Sequence, residues 1–544
     1  MRDRFPSEDY GRHLVEEVRA RRMTRRDLIR RAGALGLGVP VVGLLLEACG
    51  DDPHATPAAA QKPRRGGTLW VAAVTPTSAI DPVTMDDAGS ISIVQRIAQY
   101  LIWVNQDYTL RPVLATSWRP NADASRWTFQ IRQGVKFSDG TALTADDVVA
   151  SIERVLGAAS RTGDPGGLKS VLPAGGAVKS GTYEVTFHLA RPFVDFPYAV
   201  ASTTPNAVIL PRNYAGDFVT KPVGTGPFLL TSYKDGAAAS LVRNPRYWQT
   251  GLPYLDRVEI NFNAAVSGTM VAVEGGAADL VCATPAVGSP VYSESDVRFL
   301  SVASTYYDQL FFRTDQKPFD DRRVRQAIAY ALQRDQIIKE LFDGRARPGG
   351  DHVFAPGLPH SPTLPQRSYD PARARALLAD AGLPNGFTVT LTTQQSGWAP
   401  SYARLAQSAL REIGVTVRLQ TESDSAFRAA GPNAPWLTVP MGIAGWSGRA
   451  TAQQYYSASF VTGAAGNSAH WSNPDFDALA LQYDSTIDEQ SRADTARRLA
   501  ALQQQETPAV IAYWVGSTVV ARKTVNGVTA SGANSVDLTS AWLA

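Results

Sequence analysis

Apolar and polar positions alternate along this chain in two rhythms, a period of two and a period near 3.6, from about residue 68 to the C-terminus. TLWVAAV and RWTFQIRQG read as strands, and YEVTFHLA sets Val185, Phe187 and Leu189 on one face of a third. Thr144, with Asp147 three residues later, has the pattern of a capping box opening a helix to about Leu156. In PFDDRRVRQAIAYALQRDQIIKELF, Val324, Ile328, Ala331 and Leu332 recur at helical spacing behind an N-cap at Asp321. YDPARARALLADAG carries cap Asp370, Pro371 at the first helical position, apolar Ala374, Leu377, Leu378 and Ala381, and Gly382 as stop. TVTLTT, ARLAQSALREIG and VTVRLQ continue the alternation, and helices are expected near 474–484 and 489–506. This is the grammar of a mixed α/β chain with no short internal repeat.

Residues 1–48 follow neither rhythm. Arg25 and Arg26 lie in a basic region, an uncharged stretch runs from Ala32 to Leu46, and small residues lead to Cys49. Fifteen helical residues reach only about 22 Å, short of a hydrocarbon core of roughly 30 Å, so the stretch reads as an export signal. TRRDLIR resembles the twin-arginine export motif. LEAC resembles a bacterial lipoprotein box, with Glu47 as a departure from it; a plain secretory signal with an incidental cysteine is the alternative. If the box is used, Cys49 becomes a lipid-bearing N-terminus and holds the protein at the membrane. Residues 49–65 are rich in Pro, Ala and Gly and read as a flexible tether.

At 544 residues the chain exceeds a single core, and two to four domains are expected. The leader's ten arginines against seven acids carry the whole net charge of +3, leaving a neutral body without the electrostatic footprint of a nucleic-acid binder. The six histidines fall at no metal-ligand spacing and only Cys49 and Cys282 could supply thiolates, so neither a metal site nor a cofactor is expected. Cys282 reads as a buried small hydrophobe. GWSG at 445–448 lacks the second glycine of a nucleophile elbow, because position 449 is arginine. The adjacent pairs Asp86–Asp87, Asp146–Asp147 and Asp320–Asp321 are no acid/base couples, since neighbouring carboxylates tend to point apart. The chain is expected not to be an enzyme, a secreted hydrolase being the remote alternative.

Six segments, in order, carry a resemblance: SRWTFQIRQGVKFSDGTALTADDVV, PVGTGPFLL, NPRYWQTGLPYLDRVEI, QKPFDDRRVRQAIAYALQRDQI, YDPARARALLADAGLPNG and HWSNPDFDALA. Over roughly residues 66–540 the chain resembles the family 5 extracytoplasmic solute-binding proteins, the dipeptide-, oligopeptide- and nickel-type receptors of ABC importers. Each segment also has a structural reading: Phe137 packs, Asp139–Gly140 turns, and Tyr247 and Trp248 are core aromatics. The resemblance implies a two-lobe α/β fold of periplasmic-binding-protein type II, with an extra subdomain inserted in the first lobe. Mapped here, the first lobe takes 66–104, 205–310 and 512–544, the insertion 105–204, and the second lobe 311–511. It also implies a monomer outside the cytoplasm, at the outer face of the membrane or in the periplasm. Such a receptor captures a solute between its lobes and hands it to an ABC permease with its ATPase. A sensory or chaperone-like envelope protein on the same scaffold is the alternative.

In peptide-binding members a tryptophan is followed three positions later by an aspartate that pairs with the peptide's α-ammonium group. Here the pattern falls on Trp446 and Arg449. A guanidinium accepts no hydrogen bond, and like charges 4 Å apart in a cleft of effective dielectric near 20 cost about 4 kcal/mol. The expected ligand is therefore not a free-amine peptide but an anionic, hydroxylated or blocked-amine solute, with Arg449 as donor and Trp446 as stacking surface. An Arg449 that faces solvent or pairs with a structural acid is the alternative. Position within the resemblance adds Tyr306, Tyr307, Gln309, Met85 and Asp86 as ligand-binding candidates.

Overall fold

The computed structural model describes residues 62–77, 79–158, 167–285, 297–530 and 536–544. Arg25, Arg26, Cys49 and most of the tether lie outside them. Among the described residues, no helix is long and apolar enough to cross a membrane.

A twelve-stranded mixed sheet forms the backbone of the molecule. Its main path uses β1 (Thr68–Val74), β2 (Phe228–Lys234), β3 (Ala238–Arg243), β4 (Arg257–Asn263), β5 (Leu280–Pro285), β6 (Val297–Phe312), β7 (Thr388–Gln394), β8 (Thr416–Glu422), β9 (Met441–Trp446) and β10 (Tyr513–Arg522). The order is β8-β7-β9-β6-β10-β5-β1-β4-β3-β2, with Arg347–Pro348 and Ala509–Ile511 pairing off the path. β1 runs parallel to β4 and β5, and β7 parallel to β8 and β9; the 16-residue β6 pairs antiparallel with β9 and β10 and joins the two halves. Alternation along β6 serves two cores. Tyr307 and Phe311 pack in one with Ala444 and Trp446, whereas Leu310 and Phe312 pack in the other with Met441 and Ile443.

A separate four-stranded antiparallel sheet is built from Ala115–Pro120, Arg126–Ile131, Glu184–His188 and Ala177–Gly181. Its inner face carries Trp127, Phe129 and Phe187, the last two edge-to-face at 5.1 Å. The helix Ala145–Gly157 opens as expected, the Asp147 carboxylate accepting from the Thr144 amide at 2.8 Å. Asp321 and Asp370 likewise cap Arg322–Ala331 and Pro371–Asp380. GTGPF is explained by close approach: a Cβ on Gly224 would meet the Ile97 carbonyl oxygen at 2.1 Å. Gly226 donates its amide to that same oxygen at 2.7 Å. Tyr247 and Trp248 are structural, both hydrogen-bonded to Gln99, and burial pushes the Cys282 thiol pKa up.

Beneath β6 lies a buried charge node. Asp351, at φ +58° and 0% exposed, accepts twice from Arg334 at 2.8 Å, once from Arg367 at 2.6 Å and once from the Ile511 amide at 3.1 Å. Ile511 pairs with Gln309, so the node anchors the segment alongside the site strand. The neighbouring His352 is buried, and desolvation lowers its pKa from 6.5 to about 4. The native state thus takes up fewer protons than the unfolded chain between those values. Stability is expected to fall by about 3 kcal/mol as pH drops from above 6.5 through 4. Urea unfolding at pH 7 and pH 4.5 should show His352→Gln losing less stability than the parent on acidification; equal losses would remove His352 as the cause.

Candidate functional site

Where β9 ends, Trp446 pairs with Tyr307 across the ladder and the chain turns through Ser447–Ala450 into α1 (Ala452–Ser459). Small residues precede the tryptophan for a steric reason: a Cβ on Gly445 would lie 2.5 Å from the Tyr306 hydroxyl and 2.8 Å from Asp308 Oδ1. The turn is fixed by its main chain. The Arg449 amide donates to Thr305 Oγ1 at 2.7 Å and to the Tyr455 hydroxyl at 2.9 Å. Its carbonyl accepts from Thr305 Oγ1 at 2.6 Å. The Tyr455 hydroxyl in turn donates to the Thr305 carbonyl at 2.5 Å, with the Ser447 carbonyl 2.9 Å away.

The Arg449 side chain is held differently. Its Cζ lies 5.9 Å from both the Trp446 and Tyr455 ring centroids. Its Nε is buried without a hydrogen-bond partner, and the guanidinium has no ion pair among the described residues. Two cation–π contacts, each about 0.5–1 kcal/mol at exposed sites, do not replace the hydrogen bond that the buried Nε of this half-buried side chain lacks. Trp446 Nε1 and Trp514 Nε1 are likewise buried and unpartnered. These three groups belong to one aromatic cluster, in which Tyr307 meets Trp514 at 4.8 Å and Tyr455 at 5.2 Å. All three are donors. Burial pushes the Tyr307 and Tyr455 hydroxyl pKa values up, so neither ring supplies an anion to Arg449.

The candidates from sequence separate into three places. Trp446, Arg449 and Tyr307 meet, and Gln309, two residues along β6 from Tyr307, is buried with its Oε1 unpartnered. Tyr306 turns to the opposite face of the strand, where it donates to Asp308 at 3.1 Å and its ring meets Trp398 edge-on at 5.7 Å. There the Tyr513 hydroxyl also donates to Asp308 at 2.6 Å, and burial pushes that carboxyl pKa up. Met85 is packed in the core, its carbonyl accepting from Asn206 at 2.9 Å, and Asp86 is exposed. No hydrogen bond or ring contact joins either to the Arg449 cluster among the described residues.

Sequence reading missed Thr305, Trp514 and Arg428. Arg428 donates to the Gly445 carbonyl at 2.6 Å and lies 4.7 Å over Trp436, whose ring meets Trp446 edge-on at 6.4 Å. Thr305 reaches the site through its hydrogen bonds to Arg449 and Tyr455 and Trp514 through ring contacts, and no local pattern marks them. Tyr455 was visible as half of a tyrosine doublet six residues beyond Arg449.

The mixed sheet thus gathers unpartnered donors, Arg449 Nε and the Trp446 and Trp514 indoles, beside its long joining strand. Residues 109–468 match the middle region of the bacterial extracellular solute-binding proteins, family 5, and the chain belongs to that family. Its relatives are substrate-binding proteins of ABC importers, and the chain is a solute-binding protein, not an enzyme. The glutathione-binding protein GsiB of Pectobacterium atrosepticum is 30% identical over 420 residues, covering 74% of this chain and 79% of the relative. Among solved structures, HbpA2 of Haemophilus parasuis superposes with a TM-score of 0.75 at 22% identity, covering 88% of this chain and all of that one. AgaA of A. tumefaciens R10, solved with agropinic acid, gives a TM-score of 0.69 at 25% identity, with 88% and 99% coverage. Members of this family bind peptides or other small solutes outside the cytoplasm and deliver them to ABC permeases.

Proposed function

We propose that this receptor is exported through its Arg25–Arg26 signal, anchored by lipid at Cys49, and acts as a monomer. It closes two lobes over an acid-bearing solute that presents no free ammonium group to Trp446. The first lobe comprises 66–104, 205–310 and 512–544, the inserted subdomain 105–204, and the second lobe 311–511. Arg449 and the indole N–H groups of Trp446 and Trp514 donate to the solute's acceptor atoms, Tyr307 supplies a ring wall, and Gln309 supplies a further polar contact. Tyr306 acts from behind by fixing the strand, and Met85 and Asp86 border the site from the first lobe.

The observation that carries the ligand class is the buried, unpartnered Nε of Arg449 beside two unpartnered indole donors. Two indole donors beside a guanidinium whose own Nε lacks a partner favour an acceptor-rich ligand. A neighbour solved with agropinic acid agrees with an acidic ligand; the relatives named for glutathione binding agree in the acid groups only, since glutathione carries a free ammonium group. The test is mass spectrometry of small molecules released by denaturing the purified protein. Calorimetry with glutathione, an N-acetylated dipeptide and the same dipeptide unblocked then ranks the chemistry. An acid-bearing solute and a preference for the blocked over the unblocked dipeptide are expected. Release of a free-amine dipeptide, or tighter binding of the unblocked one, would refute the ligand class.

A further inference from the structure

The tip of the helical pair α2 (Pro474–Ser485) and α3 (Glu489–Glu506) meets the loop 191–196 that follows the four-stranded sheet. Two ion pairs sit in that contact. Arg492 lies 2.7 Å from Asp195, the two side chains 5% and 4% exposed, and Arg191 pairs with the equally buried Asp484. The Val194 amide donates to the Asp484 carbonyl at 2.8 Å, and Arg492 lies 4.2 Å over the Tyr483 ring.

In the domain map proposed above, each ion pair has one partner in the inserted subdomain and one in the second lobe. Three buried charged side chains, Asp195, Asp484 and Arg492, with the partly exposed Arg191, meet across a boundary between bodies that hinge apart, an unusual arrangement. Inside the contact each buried charge is compensated chiefly by its partner across the boundary, so removing one partner strands a charge that only separation of the bodies can hydrate. The contact also has a route to the ligand turn. Tyr455 and Tyr456 are consecutive on α1. The first fixes the Thr305–Ser447–Arg449 knot with its hydroxyl, and the second donates its hydroxyl to Asp484. One short helix therefore touches the ligand turn and the ion pairs at once. On the far side, the Tyr198 hydroxyl donates to the Tyr108 carbonyl at 2.8 Å, tying the turn beyond Asp195 to the rest of the insertion.

We propose that Arg191, Asp195, Asp484 and Arg492 form a closure clasp, remote from the solute, that sets affinity by holding the inserted subdomain against the second lobe. Tyr456 is the positioning residue that links the clasp through α1 to the Arg449 turn. The clasp selects no ligand chemistry. It governs how long a captured solute stays, because hinge closure encloses the ligand and opening releases it.

The test compares the exported protein with Arg492→Met, Tyr456→Phe and the exchanged pair Asp195→Arg/Arg492→Asp. Each single change is expected to raise the dissociation rate of an N-acetylated dipeptide about tenfold, with association altered less than about threefold. Without added solute, each should also enlarge the radius of gyration seen by X-ray scattering and speed hydrogen exchange at the Val194 amide. The exchanged pair should return all three toward the parent. Unchanged scattering and Val194 exchange in both single variants would overturn the clasp, as would a lowered melting temperature that the exchange fails to restore. Because scattering and exchange need no ligand, failure of the N-acetylated dipeptide to bind strikes the ligand reading alone and leaves the clasp to these two measurements. If Arg492→Met does not fold, Tyr456→Phe decides, since it removes one hydroxyl and no charge.

Discussion

Asp351→Ala is expected to lower unfolding free energy by about 3–5 kcal/mol, because it strands two buried guanidinium groups at once. Arg334 and Arg367 are 6% and 7% exposed at the side chain, so water does not replace the missing carboxylate. The Ile511 amide also loses its acceptor. A backbone penalty adds to this, since residue 351 sits in the left-handed region at φ +58°, where alanine is less at ease than aspartate or asparagine. Asp351→Asn keeps the conformation and one acceptor oxygen and should fall between alanine and the parent. Chemical denaturation of the three proteins checks the order. A loss below about 1 kcal/mol for alanine would mean that the arginines find other partners. The consequence for function is indirect: Ile511 lies beside Gln309, so a loosened node loosens the strand that carries Tyr307.

That node illustrates what was legible in the sequence. Caps at Thr144, Asp321 and Asp370 could be read because a cap and the amides it serves lie within four residues. The helical spacing that was read from Val324 to Leu332 ends one residue early, because the helix stops at Ala331 and the buried Leu332 caps it before a second helix starts at Arg334. GTGPF was visible as a motif, but its cause, the Ile97 carbonyl, lies more than 120 residues away. In the site, Trp446 and Arg449 stood out by resemblance, whereas Thr305 and Trp514 join it by a hydrogen bond and a ring contact between segments far apart in the chain. Tyr306 and Tyr307 were grouped by their shared position within the resemblance. A strand sends adjacent side chains to opposite faces, so the period-two rule alone divides them.

Charge reversal at Arg449 should separate ligand chemistry from architecture. The turn is held by the residue's own amide and carbonyl with Thr305 and Tyr455, so Arg449→Asp leaves its anchors in place. The parent side chain buries an Nε without a partner, a cost borne only while no solute is bound. Removing it is expected to leave the unliganded protein as stable as before or slightly more so, the usual exchange between stability and function at a binding residue. Binding should move the other way. An acidic solute loses a donor and meets a like charge, which at about 4 Å and effective dielectric near 20 amounts to about 4 kcal/mol, discounted to about 2–4 for the half-exposed side chain. Affinity for an N-acetylated dipeptide should therefore fall about 30- to 1000-fold, while the unblocked dipeptide should gain. Titration calorimetry on both ligands, with a melting curve for each protein, reads the three expectations together. An unchanged ranking of the two dipeptides would show that Arg449 faces away from the solute, and the ligand class drawn from it would fall with that result.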